Sequence, residues 1–255
     1  MGGIGTAPLG AIYGEIELAF KSLQSGTAGQ YDAWSRTHNR TLPSAAVTLG
    51  VSSSSTNDAS PSGTGARKIR VYGLDANYKP IYEDFVLNGQ NKVVGTQYFF
   101  RVQPRIDILE VGSGGVNAGD IYIYDSSDTP SGGVPATNSK IFGIVGAGDG
   151  NCQMGMITVP AGHRAILKEF WASTQATTSH FAAFNLKLIS PTGLIQLVQL
   201  GSVSTTGVNW IVYDFDPNLE IPEKWEVIVQ CKPSAVSIVN AGFLKMALAS
   251  YQALL

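Results

Sequence analysis

The feature of this sequence that most constrains its fold is a regular alternation of apolar and polar residues in short runs. From Arg67 onward, runs rich in Val, Ile, Tyr and Phe are separated by turn residues about every eight to twelve positions. Leu186 and Leu188, for example, alternate with Asn185 and Lys187. Because successive side chains of a strand point to opposite faces, this period predicts strands with one buried face. Many short strands joined by regular turns predict an all-β sandwich or barrel.

Turn signals mark where these strands end. Asn88-Gly89 is typical of a tight turn, and Pro191-Thr192-Gly193 predicts a hairpin between two strongly alternating strands. We expect strands at residues 44–50, 67–73, 80–87, 97–111, 119–125, 139–145, 154–159, 164–173, 181–190, 194–200, 207–213, 224–231 and 236–249.

Residues 11–24 carry the only pattern that favours a helix, because their apolar residues recur at helical spacing along one stripe. Such a helix could pack on its own domain, or it could be part of an N-terminal arm that docks on a neighbouring subunit. Amphipathicity does not distinguish these alternatives. For the docking arm, the candidate partner-interface residues are Ile12, Ile16, Phe20, Leu23 and Trp34.

Two polar stretches suggest the domain organisation. Residues 51–66 and 126–138 are rich in Ser, Thr, Asn, Gly and Pro and contain almost nothing to bury, which is typical of loops. The sequence therefore predicts an arm with a short helix (1–40), an N-terminal β unit (41–138) and a C-terminal jelly-roll-like β-sandwich (139–255). The alternative is one continuous sandwich whose sheets draw strands from both halves.

Charge and hydropathy limit the classes of partner. Charged residues make up only 14% of the chain, and 17 Lys+Arg against 19 Asp+Glu give a net charge of -2. No basic surplus is present to neutralise phosphates, so we expect no nucleic-acid partner. No segment approaches the roughly 20 apolar residues of a membrane span, and the start lacks the profile of a signal peptide, so we expect no membrane partner.

The strongest candidate for a cofactor motif is the glycine-rich stretch from Gly143 to Gly150. A dinucleotide-binding loop requires a helix after its glycines, whereas residues 153–160 have the pattern of another strand. We therefore expect a glycine-rich turn and no cofactor.

Other chemistry-bearing residues do not form a recognisable motif. His38, His163 and His180 are not spaced to pair with a nucleophile or a carboxylate, although catalytic groups meet in space rather than in sequence. Cys152 and Cys231 fit neither a disulfide framework nor a zinc spacing, but a single bridge between them stays possible. The sequence thus predicts no catalytic residue and no metal site.

Two parts of the sequence together resemble virion proteins of tailed bacteriophages. The first comprises R-K-I-R-V-Y-G-L-D-A-N-Y (67–78), V-L-N-G (86–89) and V-G-S-G-G-V-N-A-G-D-I (111–121). The second comprises I-T-V-P-A-G-H-R-A-I-L (157–167) and I-P-E-K-W-E-V (221–227), in which V-P-A-G and I-P-E-K turns introduce strands. These are signatures of fold, and the resemblance implies no catalytic residue.

The resemblance implies a non-enzymatic structural protein of a phage particle. The first expectation is a capsid decoration or cement protein that binds the major capsid protein, forms a homo-oligomer and is assembled in the bacterial cytoplasm. The alternatives are a head-tail component, a fibre or a carbohydrate-binding host-recognition module, and last a glycan-degrading enzyme. Tyrosines on or beside the first strands would serve a carbohydrate-binding module, although core and cross-strand packing is their ordinary role.

Overall fold

The computed structural model describes residues 14–23, 31–32, 42–234 and 239–250. Within these ranges the chain is almost entirely β and contains no α-helix; Asn138–Lys140 form a short 3-10 turn. The prediction of an all-β, sandwich-like protein is confirmed.

The strands are antiparallel to their neighbours. In chain order they are β1 (Gly14–Leu23), β2 (Tyr31–Asp32), β3 (Val47–Ser53), β4 (Ala66–Leu74), β5 (Pro80–Val86), β6 (Val93–Phe99), β7 (Arg101–Val111), β8 (Ile121–Asp125), β9 (Pro130–Ser131), β10 (Val134–Pro135), β11 (Ile141–Val145), β12 (Asn151–Gln153), β13 (Met156–Thr158), β14 (His163–Ile189), β15 (Ile195–Ile221), β16 (Glu226–Pro233) and β17 (Val239–Ser250).

The first β unit is built from two four-stranded sheets. One has the order β11-β8-β3-β6 and the other β12-β7-β4-β5. Alternate residues of these strands point inward and form one apolar core, which includes Ile69, Phe99, Ile106 and Ile123. Burial of such aliphatic and aromatic side chains is the main force that holds the unit together.

The second β unit is a seven-stranded sheet with the path β1-β17-β14-β16-β13, to which β15 and β2 are added at β14 and β16. β14 and β15 form a hairpin closed by the Pro191-Thr192-Gly193 turn, as predicted; Gly193 adopts a positive φ of 86° and its N–H donates to Ser190 O at 2.9 Å.

The long hairpin bends in the middle and so supplies both layers of the sandwich. Residues 163–175 of β14 pair with β17, whereas residues 182–189 pair with β16. The register shifts between Ala176 and His180, where the strand changes layer. β15 bends with it, because a Cβ atom at Gly201 would lie 2.3 Å from the Ile211 side chain of the same strand. Bulged strands that switch layers are a known way to make sandwich corners.

The helix predicted over residues 11–24 is wrong for the part that the structure describes. Residues 14–23 form β1, which pairs with β17 along its whole length. The helical pattern omitted Leu18, which is 2% exposed in the core of the second unit. The same residues also alternate with period two, and long-range pairing with β17 selects that period over the helical one.

The predicted boundary near residue 138 does not coincide with the change of sheet. β11 and β12 follow that position in sequence but pair with β8 and β7 of the first unit. At the other end, β1 belongs to the sheet of the second unit. The strand pairings therefore place residues 42–153 in the first unit, and residues 14–23, 31–32, 156–234 and 239–250 in the second.

Candidate subunit-contact surface

The outer surface of the bent hairpin exposes large apolar side chains. On β15, Ile195 and Leu197 are 55% and 60% exposed, and Trp210 and Val212 are 67% and 41% exposed. They lie on the faces opposite the core, since Leu200 and Phe215 of the same strand are buried inside it. Exposed apolar patches of this kind mark association surfaces when they are contiguous.

The free edge of β15 is also the least covered side of the sandwich core. Val198, Ile211, Tyr213 and Leu219 pack against the core but are only partly buried, and all four lie on β15. Among the strands described, β15 pairs with β14 alone. Its other edge therefore presents backbone N–H and C=O groups without a strand partner in the described part of the chain.

The apolar stretch of this edge carries no charge. From Ser190 to Tyr213 the sequence contains no Asp, Glu, Lys or Arg, and the first acid is Asp214. Natural edge strands are usually protected from pairing by charged side chains, proline or very short length. β15 has none of these protections over most of its length, and Pro217 lies beyond the apolar stretch.

Part of the outer face is built from aromatic residues of neighbouring strands. Trp171 of β14 is stacked on Phe243 of β17, with ring centroids 5.8 Å apart and an interplanar angle of 17°. Trp171 is also the register partner of Val212, and Ser173 is that of Trp210. The exposed residues of β15 therefore continue an apolar surface that crosses three strands.

A buried polar junction holds the two β units together. Arg101 of the first unit donates from Nε to Glu226 Oε1 of the second at 2.8 Å, and both side chains are buried. Arg101 also donates to the carbonyl oxygens of Pro43 and Phe100. Thr158 Oγ1 donates to the other carboxylate oxygen of Glu226. This satisfies the buried charges, which would otherwise be costly to desolvate.

The turns that carry the virion resemblance meet beside this junction. In the V-P-A-G turn, Val159 accepts the Lys224 N–H at 2.7 Å and Gly162 donates its N–H to the Glu223 carboxylate of the I-P-E-K turn. The N–H of Ala161 donates at 3.0 Å to the carbonyl oxygen of Tyr78, which ends the first resembling stretch. Three stretches that are distant in sequence thus form one contact between the units.

The predicted partner-interface residues lie mostly where side chains are not described. Ile12 and Trp34 lie outside the described residues, and Ile16, Phe20 and Leu23 lie on β1, of which only the backbone course is described at these positions. Their assignment to a partner interface stays a prediction. The exposed residues of β15 were not predicted as a candidate interface, although the absence of charged residues from 190 to 213 could have indicated them.

The tyrosines are divided between the core and the surface. Tyr72 and Tyr124 are buried, as expected for strand tyrosines, and burial raises the pKa of Tyr124. Tyr82 is 46% exposed, but the Arg70 guanidinium lies over its ring at 4.4 Å. Arg70 also donates to both oxygens of Asp84, and this hydrogen bonding lowers the pKa of that carboxyl. One face of the Tyr82 ring is therefore already occupied.

The remaining candidates for chemistry are placed as follows. Gly143 of the glycine-rich stretch lies on β11, and residues 146–150 form the predicted turn between β11 and β12, with Gly148 and Gly150 at positive φ. Cys152 and Cys231 are buried in different core clusters and do not form a disulfide with each other. Of the histidines, His163 has its side chain described, with Nδ1 3.0 Å from Ala161 O.

Within the described ranges, no three His, Cys, Asp or Glu side chains are grouped so that they could hold a metal ion. In the same ranges, no helix combines the length and apolar character needed to cross a membrane.

Comparisons with known proteins give little. No protein-family model matches the chain, and no curated protein matches it. Among solved structures, the VP2 subviral particle of infectious bursal disease virus is 10% identical, with a TM-score of 0.28, over 93% of this chain and 72% of that chain. The Gx strain of the same virus is also 10% identical, with a TM-score of 0.28, over 91% and 71%. TM-scores this low support no inference about function.

Proposed function

We propose that this chain is a non-enzymatic structural protein of a virus particle, and specifically a capsid decoration or cement protein that binds the major capsid protein and forms a homo-oligomer. The observation that carries the proposal is the exposed apolar surface of β15, on a strand that has no Asp, Glu, Lys or Arg before Asp214, at one edge of a β-sandwich. A surface of this composition gains free energy when a neighbouring subunit covers it, at about 25 cal/mol per Å² of apolar area.

The meeting of the resembling stretches supports the same proposal. Residues 67–78, 157–167 and 221–227 resemble tailed-phage virion proteins, and the turns that end or interrupt them are joined by hydrogen bonds between backbone groups. The resemblance is therefore carried by residues that set how the two β units are joined. In a cement protein, such a junction would give a stiff body that transmits force between capsomers.

The N-terminal segment supplies the second proposed contact. We place Ile12, Ile16, Phe20, Leu23 and Trp34 at the interface with the major capsid protein. Removal of residues 1–40 is not a suitable test, because it would delete β1 and the buried Leu18. Single substitutions outside β1 are needed instead.

The test is co-sedimentation of the purified protein with empty capsid shells of the virus whose particles contain it. We expect the wild-type protein to sediment with the shells in a fixed ratio. Ile12→Asp and Trp34→Asp should lower that ratio, whereas Val94→Asp, at a residue 52% exposed in the first unit, should not. A wild-type protein that stays in the supernatant, and that mass spectrometry does not find in purified particles, would overturn the proposal.

The rival function is carbohydrate binding by the tyrosine-bearing face of the first unit. Tyr98 is 63% exposed, which is a usual property of a sugar-stacking ring. A glycan array with the isolated protein separates the two functions, since specific binding that Tyr98→Ala abolishes would favour host recognition over a purely structural role.

A further inference from the structure

The free edge of β15 has the properties of an interface between two copies of this chain. We propose that β15 pairs antiparallel with β15 of a second copy, so that each layer of one sandwich is continued by a layer of the other. This inference deepens the proposed function, on which it rests for its role in the particle, by naming the surface that joins two subunits.

The shape of the edge selects a second copy as the occupant. β15 changes layer in its middle, where Gly201 lies against the Ile211 side chain. In a straight strand, residues ten positions apart would be separated by about 33 Å. A straight strand from another protein could pair with one half of this edge only. Another β15 bends at the same place, and a two-fold axis through the bend superposes the two curvatures.

One register matches the exposed side chains of the two copies. If the axis passes through the bend so that Trp210 stands opposite Leu197 of the other copy, Val212 stands opposite its Ile195. All four of these positions are exposed and apolar. Cross-strand pairs of aromatic and aliphatic residues stabilise antiparallel sheets by about 0.2–1 kcal/mol each. The two-fold axis repeats both pairs, so the register covers the exposed apolar residues on both sides of the bend.

The same register avoids conflicts of charge. Asp214 falls opposite Gly193 and Asp216 opposite Pro191 of the other copy, which are residues of the hairpin turn and carry no charge. No charged residue lies between Ser190 and Tyr213, so none would be buried in the paired region. Like charges opposite each other would be destabilising, and this pairing contains none.

The size of the edge is sufficient for a stable dimer. An interface of standard size uses about 20–30 residues on each side, and β15 alone contains 27. Pairing would also cover Val198, Ile211 and Tyr213, which pack against the core but are only partly buried in the single chain. The dimer therefore gains both a backbone ladder and completion of two apolar cores.

The first experiment measures the mass of the purified full chain in solution by light scattering after size exclusion. At about 10 µM we expect a dimer, since interfaces of standard size have Kd values in the micromolar range or tighter. Leu197→Lys and Trp210→Lys should each give a monomer with unchanged circular dichroism. Val94→Lys, which adds the same charge at a residue 52% exposed on β6, should stay dimeric. A monomeric wild type, or a dimer that both β15 lysines leave intact, overturns the proposal.

The second experiment tests the register by disulfide cross-linking of mixed variants. Leu197→Cys mixed with Trp210→Cys should cross-link under mild oxidation, because residues opposite each other in a sheet have Cα atoms within disulfide range. Each variant alone should not cross-link, and neither should Leu197→Cys mixed with Val94→Cys. The native Cys152 and Cys231 are buried and do not interfere. Equal cross-linking by each single variant overturns the register.

These results are independent of the capsid. A dimer that neither sediments with capsid shells nor occurs in purified particles would leave this inference standing and overturn the proposed capsid binding. A monomer that still decorates shells would overturn this inference and leave the proposed capsid binding standing.

Discussion

The rings of Phe170 and Phe184 lie 5.6 Å apart, centroid to centroid, although both residues belong to β14. Positions 170 and 184 differ by 14 residues, and a straight strand would hold them about 46 Å apart. The contact is possible because β14 folds over at its bulge and carries one phenylalanine in each layer. Both rings are fully buried, so the pair joins the layers at the centre of the core.

Phe170→Ala and Phe184→Ala should each lower the free energy of unfolding by about 3–5 kcal/mol, because each leaves a cavity in the packed core. The double variant should lose about 0.5–1.5 kcal/mol less than the sum of the single losses, which is the usual coupling of an aromatic pair. Urea unfolding followed by circular dichroism measures all three. Tyr98→Ala, at a residue 63% exposed, is the control and should change stability by less than about 0.5 kcal/mol. Strict additivity would show that the two rings do not interact.

Arg101→Met should destabilise the protein by about 3–5 kcal/mol, because it leaves the buried Glu226 carboxylate without its charged partner. The double variant Arg101→Met/Glu226→Leu should recover much of this loss, since two apolar side chains need no charge compensation. The measurement is again urea unfolding. Glu220→Gln is the control, because Glu220 is 55% exposed in its pair with Arg164 and such pairs contribute about 0–1 kcal/mol.

Thr174→Val should raise the free energy of unfolding by about 1 kcal/mol, because the Thr174 hydroxyl is buried without a hydrogen-bond partner among the described residues. Thr158→Val is the matched control and should lower it by about 1–3 kcal/mol, since its hydroxyl donates to Glu226. Thermal unfolding of the two variants side by side checks the opposite signs. A loss of stability in Thr174→Val would show that its hydroxyl has a partner.

The stabilising contribution of Asp84 should be lost in acid. Its folded-state pKa is lowered below the ordinary value of 3.8, first by hydrogen bonding from Arg70. A carboxyl with a lowered pKa stabilises the fold above its ordinary pKa, and this contribution is lost as the pH falls through the folded-state value. The Tm of Asp84→Asn should therefore be below wild type near about pH 6, with the gap closing on acidification.

A pH series of Tm measurements on both proteins tests this expectation. The gap should also shrink in about 1 M salt, because Asp84 and its partners Arg70 and Lys68 are partly exposed and are screened by ions. A gap that is the same at every pH would mean that Asp84 acts through packing and not through its charge.

The sequence predicted the strands of the first unit well, because each has a clear apolar alternation and ends at a turn signal. Predicted strands at 67–73 and 80–87 correspond to β4 and β5, and Asn88-Gly89 is a turn with Gly89 at a φ of 57°. Local pattern and final structure agree there. The predicted strand at 97–111 is in fact the end of β6 followed by β7, which meet at Phe100. No strong turn residue marks that break.

The sequence could not predict the bend of the long hairpin. Two predicted strands at 164–173 and 181–190 are one strand, β14, and the pair at 194–200 and 207–213 are both part of β15. The residues between them lack an apolar alternation, so they are indistinguishable from loops by pattern. Only the pairing of β14 with β17 on one side of the bend and β16 on the other determines their course.

Buried aspartates in the polar stretches were also missed. Asp58 is fully buried and accepts hydrogen bonds from the N–H groups of Ala66, Ala118 and Gly119. It therefore joins the polar stretch 51–66 to the loop that contains Ala118 and Gly119. Asp128 is also buried and accepts hydrogen bonds within residues 126–138, from Thr129 and Thr137. Burial alone would raise the pKa of Asp128, but these hydrogen bonds outweigh burial and the pKa is lowered. An aspartate in a polar loop gives no sequence signal that separates this role from solvent exposure.

The bent hairpin has a mechanical consequence for the second unit. Because the same two strands supply part of both layers, we expect that one layer cannot unfold while the other stays folded. A load applied to one layer passes along the continuous backbone into the other, and the two rupture together as one cooperative block. The hairpin therefore links the two layers covalently, since β14 pairs with β17 in one layer and with β16 in the other.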